Sequence, residues 1–420
     1  MTFLFSLAWR NVWRQARRSL LTAFAMAVAL SFCCAMYTLI NGASDLIFGL
    51  MVEQQMGHVQ VYHNDYRAKQ SLYDTIPAGD DVLKTIQGQE DTYIASGRIK
   101  GFGLVGGDTK SSGAAMIGVY PDDEQRLTPI LRQLVTGSYL DSAPSHQAVI
   151  GVELAQKLKV GVGDELLLIG QGADGSVAND LYTVQGTVKT GNVALDKAGV
   201  YMHATDLQEF LVLEGQLHEI LALTKDKQDI EPYVLSVKTT LQDAGLMKDS
   251  EDEVFNVEPW WVTDKQTFDI LNVQSAAIDM MTYLILFVAG FGILNTMMMS
   301  VFERTRELGI LRALGISRSR MVLMIMCESV VLAALACAIG VVLGIGMGSY
   351  LEIYGLDFST GSGEGFSMMG VVFDPVFYGE MRPADFMKPT IAVFIISGLA
   401  SLWPALRAAY LRPVEALRQD

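Results

Sequence analysis

The sequence predicts an α-helical membrane protein with four transmembrane helices and a large α+β domain inserted between the first and the second. Three observations predict it: four long apolar runs almost free of charge, one polar stretch (42–275) with no comparable run, and a charge balance that changes sign between the segments joining the runs. The chain of 420 residues is 50% hydrophobic and 18% charged, with mean hydropathy +0.29. That is too apolar for a disordered chain and too polar for one wholly embedded in lipid. A formal charge of −15 argues against nucleic-acid binding through a basic surface. Cys33, Cys34, Cys327 and Cys337 all fall in apolar runs, which argues against a disulfide-stapled secreted fold.

Residues 19–41 form the first span. Their run SLLTAFAMAVALSFCCAMYTLI carries no charge and supplies the ~20 apolar residues a helix needs to cross a bilayer. Arg14, Arg17 and Arg18 before it also fit a signal peptide, but the apolar region of such a peptide is only about 7–15 residues. The run therefore reads as an uncleaved span. Residues 1–18 read as an interfacial amphipathic helix, with Trp9 and Trp13 four apart, as are Arg10 and Arg14. A positive flank that only sets topology is a compatible reading.

The insert, 42–275, mixes strand signals at 57–62, 114–120, 165–169 and 182–188 with a short helix at 152–158. At its edges Leu46, Ile47, Leu50 and Met51, and Phe268, Leu271, Ser275 and Ile278, keep helical spacing. Either the flanking spans run on as stalk helices or these residues pack as ordinary domain helices. Gly101, Gly103 and Gly106 fit GxGxxG, but a dinucleotide site needs a helix next, and residues 107–113 read as a turn into another strand. His58, His63, His146, His203 and His218 lack metal-ligand spacing, and no hydrolase motif occurs. No catalytic residue, metal or cofactor is expected in this chain.

Further spans are expected at 276–302, 321–350 and 387–408, the last with Pro389 and Pro404 near its ends. They leave a loop at 303–320, another at 351–386 and a tail at 409–420. Segments 1–18, 303–320 and 409–420, with Arg407, carry 12 Lys/Arg against 4 Asp/Glu; the insert carries 17 against 34, and 351–388 carries 2 against 6. Short arginine-rich loops stay in the cytoplasm, while long domains translocate largely regardless of charge. Both termini and the 303–320 loop are thus expected inside, with the insert and 351–386 outside.

Within 303–320, Leu308, Leu311 and Leu314 are spaced as on a helix and surrounded by Glu303, Arg304, Arg306, Glu307 and Arg312. Gly315 is a plausible helix stop, and Ser317 a plausible cap for the next helix. The pattern fits a docking element for a soluble partner, or a solvated turn whose arginines enforce topology. Glu328 lies inside the third span, on the order of 10 Å deep. A charge there is expected to face protein, with a role in packing the second and third spans favoured over a substrate or proton role. Gly340, Gly344 and Gly348 form a small-residue face that allows close helix approach.

The run FERTRELGILRALGISRSRMVLMIMCESVVLAALACAIGVVLGIG at 302–346 resembles the FtsX-type permease domain of ABC transporters, and PALRAAYLRPVEALR at 404–418 resembles that domain's close. GHVQVYH, MIGVYPDDE and IGVELAQKLKVGVGDELLLIG resemble the LolC/LolE lipoprotein-releasing group and its MacB relatives. The resemblance implies a type VII ABC permease fold in the bacterial inner membrane. It implies that 303–320 is a coupling helix docking on a cytoplasmic ABC ATPase through Glu303, Arg304, Arg306, Glu307, Leu308 and Arg312. It further implies two ATPase copies that bind ATP and Mg, a second permease chain (identical or homologous), and mechanotransmission. The substrate would be a lipoprotein, lipid or other amphiphile taken from the outer leaflet.

Two departures qualify the resemblance. MacB carries its ATPase in the same polypeptide, whereas this sequence starts almost directly with the first span, so a separate ATPase is expected. The stretch at 171–180 that matches LolC's carrier-recruiting loop looks shorter and lacks its proline and bulky apolar residues. This leaves open whether a periplasmic carrier or adaptor takes part. The family also implies a membrane cavity between spans one and two of the paired permease chains, here lined by Phe32, Met36, Tyr37, Ile40, Tyr283, Leu286 and Phe287, although membrane lipids or core packing would suit each residue as well. An alternative reading is an FtsX-like signalling scaffold that activates an extracytoplasmic cell-wall hydrolase without transport.

Overall fold

Helices long and apolar enough to cross a bilayer run Ala16–Ile47, Lys265–Glu303, Arg318–Tyr354 and Ala384–Ala409 in the computed structural model. The structure describes residues 9–11, 13–14, 16–107, 110–128, 133–227, 230–248, 254–358, 366–368, 371–373 and 376–410. The expected interfacial helix falls partly outside these residues, and the tail from 411 wholly so.

All four helices overrun the apolar stretches that predict them. Lys265–Glu303 has 39 residues, about 58 Å at 1.5 Å per residue, against a hydrocarbon core of about 30 Å. Loss of hydropathy does not stop a helix; a backbone signal does. The third helix ends at Gly355 (φ +68°), and the second begins after Asp264, whose carboxylate accepts from Thr267 N–H at 3.2 Å. The first continues as a nine-residue π-helix, Phe48–Met56, closed by Gly57 at φ +72°. The α-spacing expected of Leu46, Ile47, Leu50 and Met51 is therefore corrected beyond Ile47. The wider turn lets Met51 and Val52 both bury, while Phe48 stacks on His58 and meets Trp260 edge-on. Pro389 and Pro404 lie inside the fourth helix.

The chain divides into two compact units, 1–45, 270–358 and 376–420 in one, and 46–269 with 359–375 in the other. The first is the helical bundle. Met26, Leu30, Leu286, Ile293, Val331, Leu332 and Val393 are among its core residues, with the free thiols of Cys33, Cys34 and Cys337. Buried hydroxyls add interhelical glue: Thr22 and Thr296 are 2.6 Å apart, and Ser329 donates to Ser401 at 2.9 Å. The glycine stripe of the third helix lies against the first. A Cβ on Gly340 would come within 2.9 Å of the Ala27 carbonyl oxygen, and one on Gly344 within 3.0 Å of Cys34 Cβ.

In the second unit ten strands form one sheet among the described residues, with mixed pairing. They are β1 (Val59–His63), β2 (Thr92–Gly106), β3 (Ser111–Val119), β4 (Leu134–Gly137), β5 (Gln147–Gly151), β6 (Glu165–Gln171), β7 (Val177–Val188), β8 (Gly199–His203), β9 (Glu219–Thr224) and β10 (Phe255–Pro259). The order is β10-β1-β9-β2-β3-β8-β5-β7-β4, with β6 joining β2 to β7. That extra pairing closes β2-β3-β8-β5-β7-β6 into a ring. GxGxxG lies within β2 and feeds the β2–β3 hairpin. Its glycines serve packing: a Cβ on Gly101 would press Leu211, and one on Gly103 would sit 2.4 Å from the Ile169 carbonyl.

Buried His218 accepts from Lys100 N–H at Nδ1 (3.1 Å) and contacts the Leu72 carbonyl through Nε2 (3.2 Å). With Nδ1 accepting, Nε2 carries the proton and the ring is neutral. Burial pushes its pKa from the usual 6.5 down to about 4. Between those values the unfolded chain binds the proton more readily, so stability falls on acidification from pH 6.5 towards 4, by roughly 3 kcal/mol at most. Thermal melts across that window are expected to show the loss, and His218→Gln to flatten it. In the bundle, Gly340→Leu is expected to cost about 1–3 kcal/mol through overpacking. Gly346→Leu, whose Cβ meets nothing within 4 Å, should leave the melting temperature close to wild type.

Candidate functional site

The loop between the second and third spans resolves into a helix, Thr305–Ala313. Glu303 still belongs to the preceding span, and Arg304 is the break, with φ −109° and ψ 16°. Gly315 at φ +93° ends the turn, and the Ser317 hydroxyl accepts from Arg320 N–H at 3.4 Å to start the next helix.

The side chains of the expected docking set sort by face. Leu308 is buried with Val301, Met321, Met324, Ile325, Ala405 and Ala408, and Leu311 packs against that cluster. Both leucines hold the loop helix to the bundle. Arg304 is also turned inward: Nε donates to Glu307 at 3.2 Å, and Nη1 reaches Glu328 at 3.5 Å. Arg312 Nη1 caps the Ile316 carbonyl at 2.9 Å. What faces outward is Arg306, Ile310, Ala313 and Leu314, with Ile310 44% and Leu314 77% exposed. Arg306, Ile310 and Leu314 form an i, i+4, i+8 row. The i+3 pattern of leucines had hidden Ile310.

Glu328, only 8% exposed, finds its partner in Arg304. The pair joins the start of the loop helix to the third span. The N-terminal arginines close the arrangement from the other side. Arg14 grips both carboxylate oxygens of Glu307 (2.7 and 3.2 Å), and Arg18 reaches Glu303 at 3.1 Å. The hydrogen bonds from Arg14 and Arg304 hold the Glu307 carboxyl below the usual carboxylate range. Trp9 and Trp13 stay exposed, edge-on at 5.9 Å. Both arginine pairs from the N-terminal segment are exposed and so contribute orientation more than energy.

The residues expected around a cavity between paired chains divide by burial in the single chain. Leu286 is fully buried in the bundle core, and Tyr37 is buried with its hydroxyl on Asp279. Phe32, Tyr283 and Phe287 are exposed on the bundle surface, while Met36 and Ile40 are half-buried. At the same end of the bundle Asn41 donates to both oxygens of Asp385 (2.8 and 2.9 Å), and Arg382 pairs with Asp45 at 2.5 Å. These ties were invisible in sequence because their partners lie 242 to 344 positions apart.

Comparison with known proteins places this architecture. The model of the MacB-like periplasmic core domain matches residues 19–239, and that of the FtsX-like permease C-terminal region matches 280–413. The lipoprotein-releasing system transmembrane protein LolC of Neisseria meningitidis serogroup B is 22% identical over 81% of this chain and 81% of its own. The macrolide export ATP-binding/permease protein MacB of Chlorobium luteolum is 36% identical over 31% of this chain and 16% of its own. Among solved structures, the periplasmic region of MacB from Actinobacillus actinomycetemcomitans covers 51% of this chain and 94% of that one, at 13% identity and a TM-score of 0.38. The chain belongs to the MacB-like periplasmic core domain family and, with its FtsX-like C-terminal region, is a LolC/LolE-like ABC transporter permease.

Proposed function

We propose that this permease extracts or exports an amphiphilic substrate from the outer leaflet, driven by a separate cytoplasmic ABC ATPase that docks on the outward face of Thr305–Ala313. The observation that carries the reading is the division of that helix. One face is locked to the spans by Leu308, Leu311 and Arg304, and the other offers Arg306, Ile310, Ala313 and Leu314 to water. Exposed apolar residues flanked by a cation on a rigidly mounted helix suit a protein partner. A partner that pushes on this helix pushes on the spans.

The orientation follows from charge. Arginine-rich short segments put both termini and this loop in the cytoplasm and the acidic insert outside. A lone chain leaves Phe32, Tyr283 and Phe287 uncovered, which supports pairing with a second permease chain, and two ATPase copies would then serve the two coupling helices. ATP and Mg would be bound by those partners. Relatives named for lipoprotein release and for macrolide export both handle molecules with large apolar parts, which supports an amphiphile here.

Leu314→Asp and Ile310→Asp are expected to abolish co-purification of the ATPase at unchanged melting temperature. Arg304→Glu is expected to destabilise the bundle by about 3 kcal/mol, because it leaves Glu328 buried beside another carboxylate. Normal ATPase capture by both aspartate variants would overturn the docking face. Release is checked with the permease–ATPase complex in nanodiscs. ATP should discharge a co-purifying lipid or lipoprotein, whereas a stably bound outer protein and no discharge would favour signalling.

A further inference from the structure

Side chains alternate along a strand, so Arg98, Lys100, Phe102 and Leu104 of β2 share one face. Its two ends differ in chemistry. Arg98 donates to both oxygens of Glu124 (2.7 and 3.3 Å) and to the Gln55 carbonyl (3.1 Å). Lys100 Nζ lies 2.6 Å from Glu219 Oε1. These groups border two adjoining cavities of about 380 and 450 Å³ that share Gln55, Gln70, Lys100 and Phe102 as walls. Arg67 lines the second. Arg67, Arg98 and Lys100 thus outnumber Glu124 and Glu219 in an insert whose acidic residues outnumber its basic ones by 34 to 17. The cleft is a positive spot in a negative domain.

Past Phe102 the face turns apolar. Leu104 stands opposite Ile169 on β6, and Leu167 opposite Leu181 on β7. Phe102 and these four are all exposed. Contiguous exposed apolar side chains mark an interaction surface, and this one continues directly from the charged cleft. An ammonium has three donors, and Glu219 occupies one.

We propose that this face binds an anionic amphiphile of single-chain size. Its head enters the cleft beside Lys100, and its chain lies along Phe102, Leu104, Ile169 and Leu181. Cavities of this volume are of ordinary ligand size. The cleft also touches the end of the π-helix: Gln55 and Met56 line it, and Arg98 holds the Gln55 carbonyl. A bound head group therefore bears on the last turn of the helix that continues the first span.

The inference rests on the amphiphile reading above. The test uses the full chain with its ATPase in nanodiscs carrying a diazirine-labelled palmitate, and separately a diazirine-labelled alkyl-trimethylammonium. Illumination followed by peptide mapping is expected to place palmitate on 98–104 and 165–181, and the cationic probe on the spans alone. Lys100→Gln, which keeps a donor for Glu219, and Leu104→Asp should each lower that label about tenfold, as loss of one charge-assisted or apolar contact would, with span labelling unchanged. Palmitate found only on the spans, equal labelling by the cationic probe, or indifference to both substitutions would overturn the site. ATP-driven discharge of lipid is read in the same discs. Discharge without label on the insert sinks this site alone, and no discharge sinks the parent reading.

Discussion

The arrangement turns on one guanidinium. Arg304 sits at the break between the second span and the loop helix and ties Glu307 and Glu328 together. In a region of low dielectric an uncompensated carboxylate is costly, so Glu328 fixes Arg304, and Arg304 fixes the angle at which the loop helix leaves the span. Leu308 then closes the apolar contact beneath. The outward row of Arg306, Ile310 and Leu314 is a consequence of that anchoring. A helix of nine residues would be marginal by itself; here it inherits rigidity from the bundle.

The insert follows a similar economy with different means. Its ten strands do not need cysteines, because β6 closes a ring by pairing with both β2 and β7, which leaves fewer open edges. Several of its polar groups are matched in detail. Arg98 is bidentate on Glu124, His218 is held through both nitrogens, and the Asn192 side chain accepts from Ala194 and Leu195 N–H to begin a short helix. Arg98 and Lys100 lie where strand alternation puts them on one face of β2, beside Glu124 of a short helix, Glu219 of β9 and the Gln55 carbonyl of the π-helix.

Much of this was legible in the sequence because hydropathy and local propensity act over short distances. The helix at Val152–Leu158 and the strand beginning at Glu165 lie where the pattern placed them. Gly340, Gly344 and Gly348 face a neighbouring helix as small residues at that spacing should. What the sequence concealed depends on long-range partners. The pattern of Leu308, Leu311 and Leu314 cannot say which leucine is inside, because that is decided by Met321, Met324 and Ala405. The π-helix carries no compositional mark; its Phe48 meets Trp260, far along the chain, and its Met51 and Val52 are buried. Tyr37 and Leu286 read as cavity lining for their chemistry, and only burial distinguishes them from Tyr283 and Phe287.

The placement of the thiols has a practical corollary. Cys33, Cys34 and Cys337 are buried in the bundle, Cys327 is half-buried, and the insert contains no cysteine. A water-soluble maleimide should find little to modify on the native chain. A single cysteine engineered anywhere in the insert would be the sole sulfhydryl in that unit, so spin labels or fluorophores could be attached without first stripping the native sulfur from the lipid-embedded helices.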